Sequence, residues 1–173
     1  MNKHTAIVII ASFVIATPFV FAAMNIYAAE QVQFAGIEQE GFNYFDMINY
    51  GEIKICNPSP FYVVFNKINI VMFFDQRDKG SLSIQETTLP PLSITTLEGK
   101  FTSETFEEVQ YLSMHFDGMF GGALPIRIDP NRFDIVTEIS TPIIGMIPYS
   151  ITQQYSGLDF WNMMNDKDGQ FSC

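Results

Sequence analysis

Two cysteines, two histidines and a scatter of carboxylates are what this chain has to offer for chemistry. Cys56 follows an apolar stretch and Cys173 is the last residue. On the oxidising side of a membrane the two could form a disulfide, whose loop of over a hundred residues would contribute up to about 4.7 kcal/mol in the chain-entropy account; the alternative is a buried thiol at Cys56 and an unconstrained one at Cys173. His115, two residues before Asp117, could act as a general base near neutrality. No Ser or Cys stands in a Gly-x-Ser-x-Gly setting that would give it a nucleophile, so a structural histidine at a helix end is the simpler reading. Asp166, Asp168 and Gly169 imitate part of a calcium loop, but Gly169 as the sixth position makes Met164 the first, and the twelfth-position Glu has no counterpart. Asp75 and Asp78 in DQRDKG suit a hairpin turn better than a metal site. The glycines of GMFGG lack the Lys-Ser or Lys-Thr of a phosphate-binding loop. Glu104, Glu107 and Glu108 suit solubility, since spacing alone cannot identify a glycosidase pair. With so few Cys and His there is little from which to build a zinc, haem or iron–sulfur site. The expectation is no catalytic residue, no metal, no cofactor and no enzymatic activity.

The elements that would carry these residues follow from composition and pattern. The chain has 173 residues, 47% apolar and 16% charged, with 9 Lys and Arg against 19 Asp and Glu and a net charge of −10. Globular chains commonly carry about 25% charged residues, so the apolar excess belongs to a membrane segment or a large core, and disorder is not expected. The acidic balance and the lack of any Lys/Arg run exclude nucleic acid as a partner, because phosphate neutralisation has no residues to work with.

Residues 5–29 carry no charge and follow a head containing Lys3 and His4. As a helix these 25 residues would span about 37 Å against roughly 30 Å of hydrocarbon, whereas a signal peptide's apolar stretch is about 7–15 residues. Length favours an uncleaved anchor contacting the lipid bilayer through residues 5–29. Ala22, Ala23, Ala28 and Ala29 keep a cleaved signal open, although Val20 or Ile26 would then spoil an Ala-x-Ala site. Pro18 is tolerable within a membrane helix. Lys3 precedes the span and the next basic residue is Lys54, so the positive-inside tendency places the rest outside the cytoplasmic membrane. That is a single-pass cell-membrane protein, or a secreted one if the segment is cleaved.

Three divisions are expected: the anchor or signal over 1–29, an acidic, Gln-rich linker over 30–41, and a domain over 42–173. In the domain, 42–56 alternates imperfectly, with Ile53 and Ile55 inward. Asn57, Pro58, Ser59 and Pro60 then break the ladder. Next, Val63 and Phe65, then Ile68, Ile70, Met72 and Phe74, alternate with one slip in phase near Asn66 and Lys67, which calls for a bulge or bend. A polar turn ending in Gly80 leads to Leu82 and Ile84, completing a hairpin, and 93–101 reads as a further strand. Thr105, with Glu108 three residues on and Phe106, Val109, Leu112 and Phe116 at helical spacing, starts one short helix. A Gly-rich loop over 117–125 should follow, then two strands divided near Thr141 and Pro142, then a tail packed by Phe160 and Trp161. Met119, Phe120, Met163 and Met164 could form an exposed apolar contact surface, with core packing the simpler account. Six or seven short strands and one helix suggest an all-β sandwich behind an N-terminal transmembrane helix.

ICNPSPF before the long alternating strand, the polar hairpin ending in Gly80, and LPPLS before the next strand resemble the late embryogenesis abundant type 2, or WHy, domain. The matching features are a strand ending in Asn57-Pro58, a strand pairing through a Gly-containing turn, and the step from Leu89 to Ser93, over roughly 45–101, and the resemblance could extend to the strands over 132–149. The resemblance implies an immunoglobulin-like β-sandwich without enzymatic activity, in a family linked to stress and desiccation protection and including some membrane-anchored relatives. The corresponding expectation is an extracytoplasmic, membrane-tethered module that works through surface contacts with lipid or with protein partners in the membrane or envelope. An accessory or structural subunit of a membrane complex is the alternative, and a hydrolase the more distant one.

Overall fold

The structure is a computed structural model and describes residues 3–35, 41–121, 128–143 and 147–165. Helix α1, Lys3–Gln31, holds 29 residues and is long and apolar enough to cross a membrane. From Ile7 to Phe21 its large side chains are exposed, Phe13 at 71%. Its last turns behave differently: Ala22, Ala28 and Ala29 are buried where α1 packs on the domain. Three of the four small residues that leave a cleavage site open in the sequence therefore have a packing role, since a methyl side chain lets two backbones approach, while Ala23 is exposed.

The strands are β1 (Gln33–Ala35), β2 (Glu52–Asn57), β3 (Val63–Phe65), β4 (Lys67–Phe74), β5 (Arg77–Ile84), β6 (Thr87–Leu89), β7 (Ser93–Glu98), β8 (Lys100–Thr102), β9 (Phe133–Ile143) and β10 (Ile147–Ser156). They form a three-stranded sheet in the order β1-β2-β7, a five-stranded sheet in the order β10-β9-β4-β5-β8, and the pair β3-β6, all antiparallel. Period-two patterning does what it should: Ile68, Ile70 and Met72 on β4, and Phe133, Ile135, Thr137, Ile139 and Thr141 on β9, are buried. Inward residues of the two larger sheets belong to one core together with Val63, Phe65 and Leu89 of the third.

The chain changes sheet at two points. At Asn66 it passes from β3 to β4, which is the slip in phase seen between Phe65 and Ile68. At Gly99 it passes from β7 to β8, so the single strand expected over 93–101 is two strands in different sheets. The β4–β5 turn is Asp75 and Gln76, both at positive φ, and pairing begins again at Arg77, so most of the expected polar turn is strand. β9 and β10 are divided after Ile143, two residues beyond the expected break.

The all-β reading with one short helix needs correction. Four α-helices occur among the described residues: α1, α2 (Tyr44–Tyr50), α3 (Phe106–Gly121) and α4 (Gly157–Asn165). The protein is a mixed, β-rich chain. α2 interrupts what looked like irregular strand: the Asn43 side chain accepts a hydrogen bond from the Asp46 N–H at 2.7 Å, and Gly51 closes the helix in the left-handed region. α3 starts where expected but runs through Asp117 to Gly121, so that part of the Gly-rich stretch is helical. α4 replaces the expected irregular tail, capped by Ser156, whose hydroxyl accepts from the Asp159 N–H at 3.0 Å. Within the expected linker, Glu30 and Gln31 complete α1 and Gln33–Ala35 form β1; residues 36–40 lie outside the described residues.

The helices share an aromatic cluster with β9. The Tyr44 ring lies 5.2 Å from Phe116 and 5.0 Å from Phe133, and Phe42 lies 5.8 Å from Phe160. Such pairs contribute about 0.5–1.5 kcal/mol each beyond area burial. The buried Tyr44 hydroxyl donates to the Gly157 carbonyl at 2.6 Å, which satisfies the one polar atom that ring brings into the core.

Candidate functional site

Two constructions stand out among the described residues: the junction of α1 with the domain, and a half-buried carboxylate of α3 that meets the start of α2. At the junction, Asn25 is an amide inside an apolar helix. Its carbonyl oxygen accepts from the Val64 N–H at 2.8 Å. Its Nδ2 donates to the Thr141 hydroxyl at 2.5 Å and to the Val64 carbonyl at 3.3 Å, and the Thr141 hydroxyl donates to the same carbonyl at 2.7 Å. A polar side chain that would be costly in apolar surroundings is thus satisfied by β3 and β9, and it locks the helix to both. Beside it runs an apolar groove lined by Pro18, Phe21, Ala22, Tyr62, Val64 and Pro142, about 470 Å³ in volume. Sequence reasoning passed over Asn25; the available signal was one amide near the end of a charge-free run.

At α2, the Asp117 carboxylate accepts from the Tyr44 N–H at 3.0 Å and the Phe45 N–H at 2.9 Å. It supplies a helix N-terminus with acceptors from a distant helix. Burial outweighs these bonds and pushes its pKa up to about 6. The Trp161 indole N–H favours the charged form without reaching hydrogen-bond geometry. Burial, and secondarily the charge on Asp117, raise the Tyr44 hydroxyl well above its ordinary value. Because the native state holds the Asp117 proton more tightly than the unfolded chain, its contribution to stability is fully present below about pH 4 and is lost as pH rises through about 6. Two pKa units correspond to about 3 kcal/mol at most. Denaturant titrations of wild type and Asp117→Asn across this window should show that the variant lacks this fall; parallel profiles would contradict it.

His115 is buried on α3 beside Tyr111, ring centroids 4.0 Å apart. Its two ring nitrogens have no hydrogen-bond partner, and Asp117 is turned to α2 instead, so the pair does not assemble a base. Asp75 pairs with Arg132, whose guanidinium stands 4.9 Å over the Phe74 ring; Asp78 accepts from the Gly80 N–H at 2.8 Å. Glu108 accepts from Lys79 at 2.7 Å. No group of three or more His, Cys, Asp or Glu positioned for a metal occurs among the described residues. Asp166, Asp168 and Gly169 lie outside those residues. Met164 is buried, Met119 and Met163 are half-buried, and the Phe120 ring sits 5.0 Å from Trp161, so these residues pack rather than form an exposed patch. Cys56 is wholly buried on β2 and disulfide-bonded; Cys173 lies outside the described residues.

The two segments that carry the family resemblance meet in space. Buried Asn57 accepts from the Ser59 N–H at 3.1 Å and donates to the Phe61 and Pro90 carbonyls, both at 2.8 Å. The Leu92 N–H donates to the Ser59 carbonyl at 3.1 Å, so the two Pro-containing breaks are one structure organised around a single amide.

No family model and no curated protein matches the chain. Among solved structures, a protein from Archaeoglobus fulgidus is similar at 8% identity and a TM-score of 0.31, covering 73% of this chain and 93% of that one. A protein from Arabidopsis thaliana, solved in solution, is similar at 14% identity and a TM-score of 0.28, covering 72% of this chain and 75% of that one. Neither likeness is close enough to assign a fold or a function.

Proposed function

We propose that this chain is a non-enzymatic, membrane-tethered module on the extracytoplasmic side, with an immunoglobulin-like sandwich of the late embryogenesis abundant type 2 kind that acts through its surface, including in protection under stress. The observation that carries the reading is α1: its exposed apolar length reaches Phe21, and beyond that point Asn25 fixes it to β3 and β9. The Asn57 hub supports the family component, because it gives the two motif segments a common structural purpose. The mutually paired charges at Asp75, Arg132, Lys79 and Glu108 support a structural use of those residues over a catalytic one. The subunit reading would gain from a Met-rich exposed patch, and Met119, Met163 and Met164 do not form one.

Purification of the full chain from membranes in mild detergent tests the function. A lone protein that keeps a labile enzyme active through drying supports the module; a stoichiometric membrane partner supports the subunit reading. Protease added to intact cells should remove the domain, and protection from it would contradict the assigned side. We assign the covalent partner of Cys56 as Cys173: denatured, unreduced protein should take up no thiol reagent and reduced protein two equivalents. Uptake of two equivalents before reduction would contradict this.

A further inference from the structure

We propose that the domain is not held off the membrane but seated in it, with Tyr62 and the β9–β10 end at Pro142, Ile143 and Ile147 embedded in the interfacial layer of the phospholipid bilayer. This rests on the membrane reading of α1 and goes beyond it, because an anchor alone requires no contact between domain and lipid. The first argument is length. About 20 helical residues cross the hydrocarbon core. Counted from Thr5, after the Lys3 and His4 head, they end at about Met24. The membrane surface then falls on the turns holding Phe21, Ala22 and Asn25, and Tyr62 and Pro142 line the groove against these same turns.

The second argument is direction. Thr141 is bonded to Asn25, and the next residue, Pro142, faces Pro18, Phe21 and Ala22. β9 therefore advances toward the lipid-embedded half of α1. Ile143 pairs with Ile147 one step further on, and the residues joining them in sequence are Ile144, Gly145 and Met146. Ile147 is 58% exposed and Tyr62 64% exposed. Exposed apolar and aromatic side chains at this level are unfavourable against water and favourable in the headgroup region, where Tyr is enriched.

The third argument is charge. The opposite end of the same strands carries Arg77 and Asp78 with the Asp75–Arg132 and Lys79–Glu108 pairs. β9 has 11 residues and is roughly 35 Å long, several times the Debye length of about 8 Å. The charges named at that far end, Arg77, Lys79 and Arg132 against Asp75, Asp78 and Glu108, balance and lie beyond the reach of the headgroup field, so they do not oppose seating. Asn25 can stand at the boundary because β3 and β9 satisfy its amide.

The test uses the full chain in phosphatidylcholine vesicles with or without bromines high on the acyl chains, and tryptophan emission as the readout. Trp161, on a helix that contacts the segment preceding β9, lies near the far end and serves as the internal control. Tyr62→Trp and Ile147→Trp, at exposed positions that accept the larger ring, should each add emission that is blue-shifted and lost in brominated lipid, while Trp161 in the wild type keeps its emission. Phe13→Trp reports the span itself. Quenching at Phe13→Trp without quenching at both rim positions overturns the seat and leaves the anchor standing. No quenching at any of the three overturns both.

Discussion

Asn57→Ala should lower the stability of the protein by about 2–4 kcal/mol. The side chain makes four hydrogen bonds across two loops; its loss strands the Ser59 N–H, whose desolvation costs about 1–3 kcal/mol, on top of about 1 kcal/mol net for the bonds that no other group replaces. The effect stays below that of stranding every partner because the Phe61 and Pro90 carbonyls keep the Ser59 and Ser93 hydroxyls as donors. Asn57→Asp is the sharper probe. It preserves the acceptor for Ser59 but faces carbonyl oxygens with a carboxylate, so it should be at least as destabilised as the alanine variant at neutral pH. It should also regain stability on acidification, when the protonated acid can donate one bond again. Denaturant unfolding of the full chain in mild detergent measures both. An alanine variant within 0.5 kcal/mol of wild type, about the ordinary effect of a surface change, would show that the two Pro-containing breaks are held by something else.

Gly51→Ala should be of similar severity, about 2–5 kcal/mol, for two separable reasons. Gly51 has a φ of +72° and a Cβ built on it would lie 2.1 Å from the Gly99 carbonyl oxygen. The left-handed conformation costs an L residue about 1–2 kcal/mol, and the overlap with backbone adds about 1–3 kcal/mol of overpacking strain. The overlap also pushes apart the bond from the Gly99 N–H to the Gly51 carbonyl, 2.8 Å long, which holds the end of α2 against the point where the chain changes sheet. Asn tolerates a left-handed φ, so Gly51→Asn removes most of the first cost and none of the second. An asparagine variant as stable as wild type would mean that the close approach to Gly99 does not constrain this position.

Local pattern was legible wherever one physical cause dominated. The charge-free run became α1, the alternation around Ile68, Ile70 and Met72 became β4, and the capping signal at Thr105 with Phe106, Val109 and Phe116 became α3. The slip between Phe65 and Ile68 marked a real discontinuity but not its kind, because a bulge and a change of sheet leave the same mark on spacing. α2 was missed since Asn43 and Gly51, its two caps, enclose only seven residues, too short a stretch for periodicity to show. α4 was missed for a related reason: Phe160 and Met164 are its buried anchors, and two anchors do not make a pattern.

What the sequence determined by itself was therefore what short-range chemistry determines: an apolar helix long enough to span lipid, the parity of the strands and the turn residues. Which strands share a sheet, why Asn25 is tolerated in an apolar helix, and why Asp117 is held near a pKa of about 6 were decided only by tertiary structure. Asn25 meets Thr141 across 116 positions, and Asp117 meets Tyr44 across 73. Burial and hydrogen bonding at such separations depend on where the backbone brings the partners, and no local spacing encodes that placement.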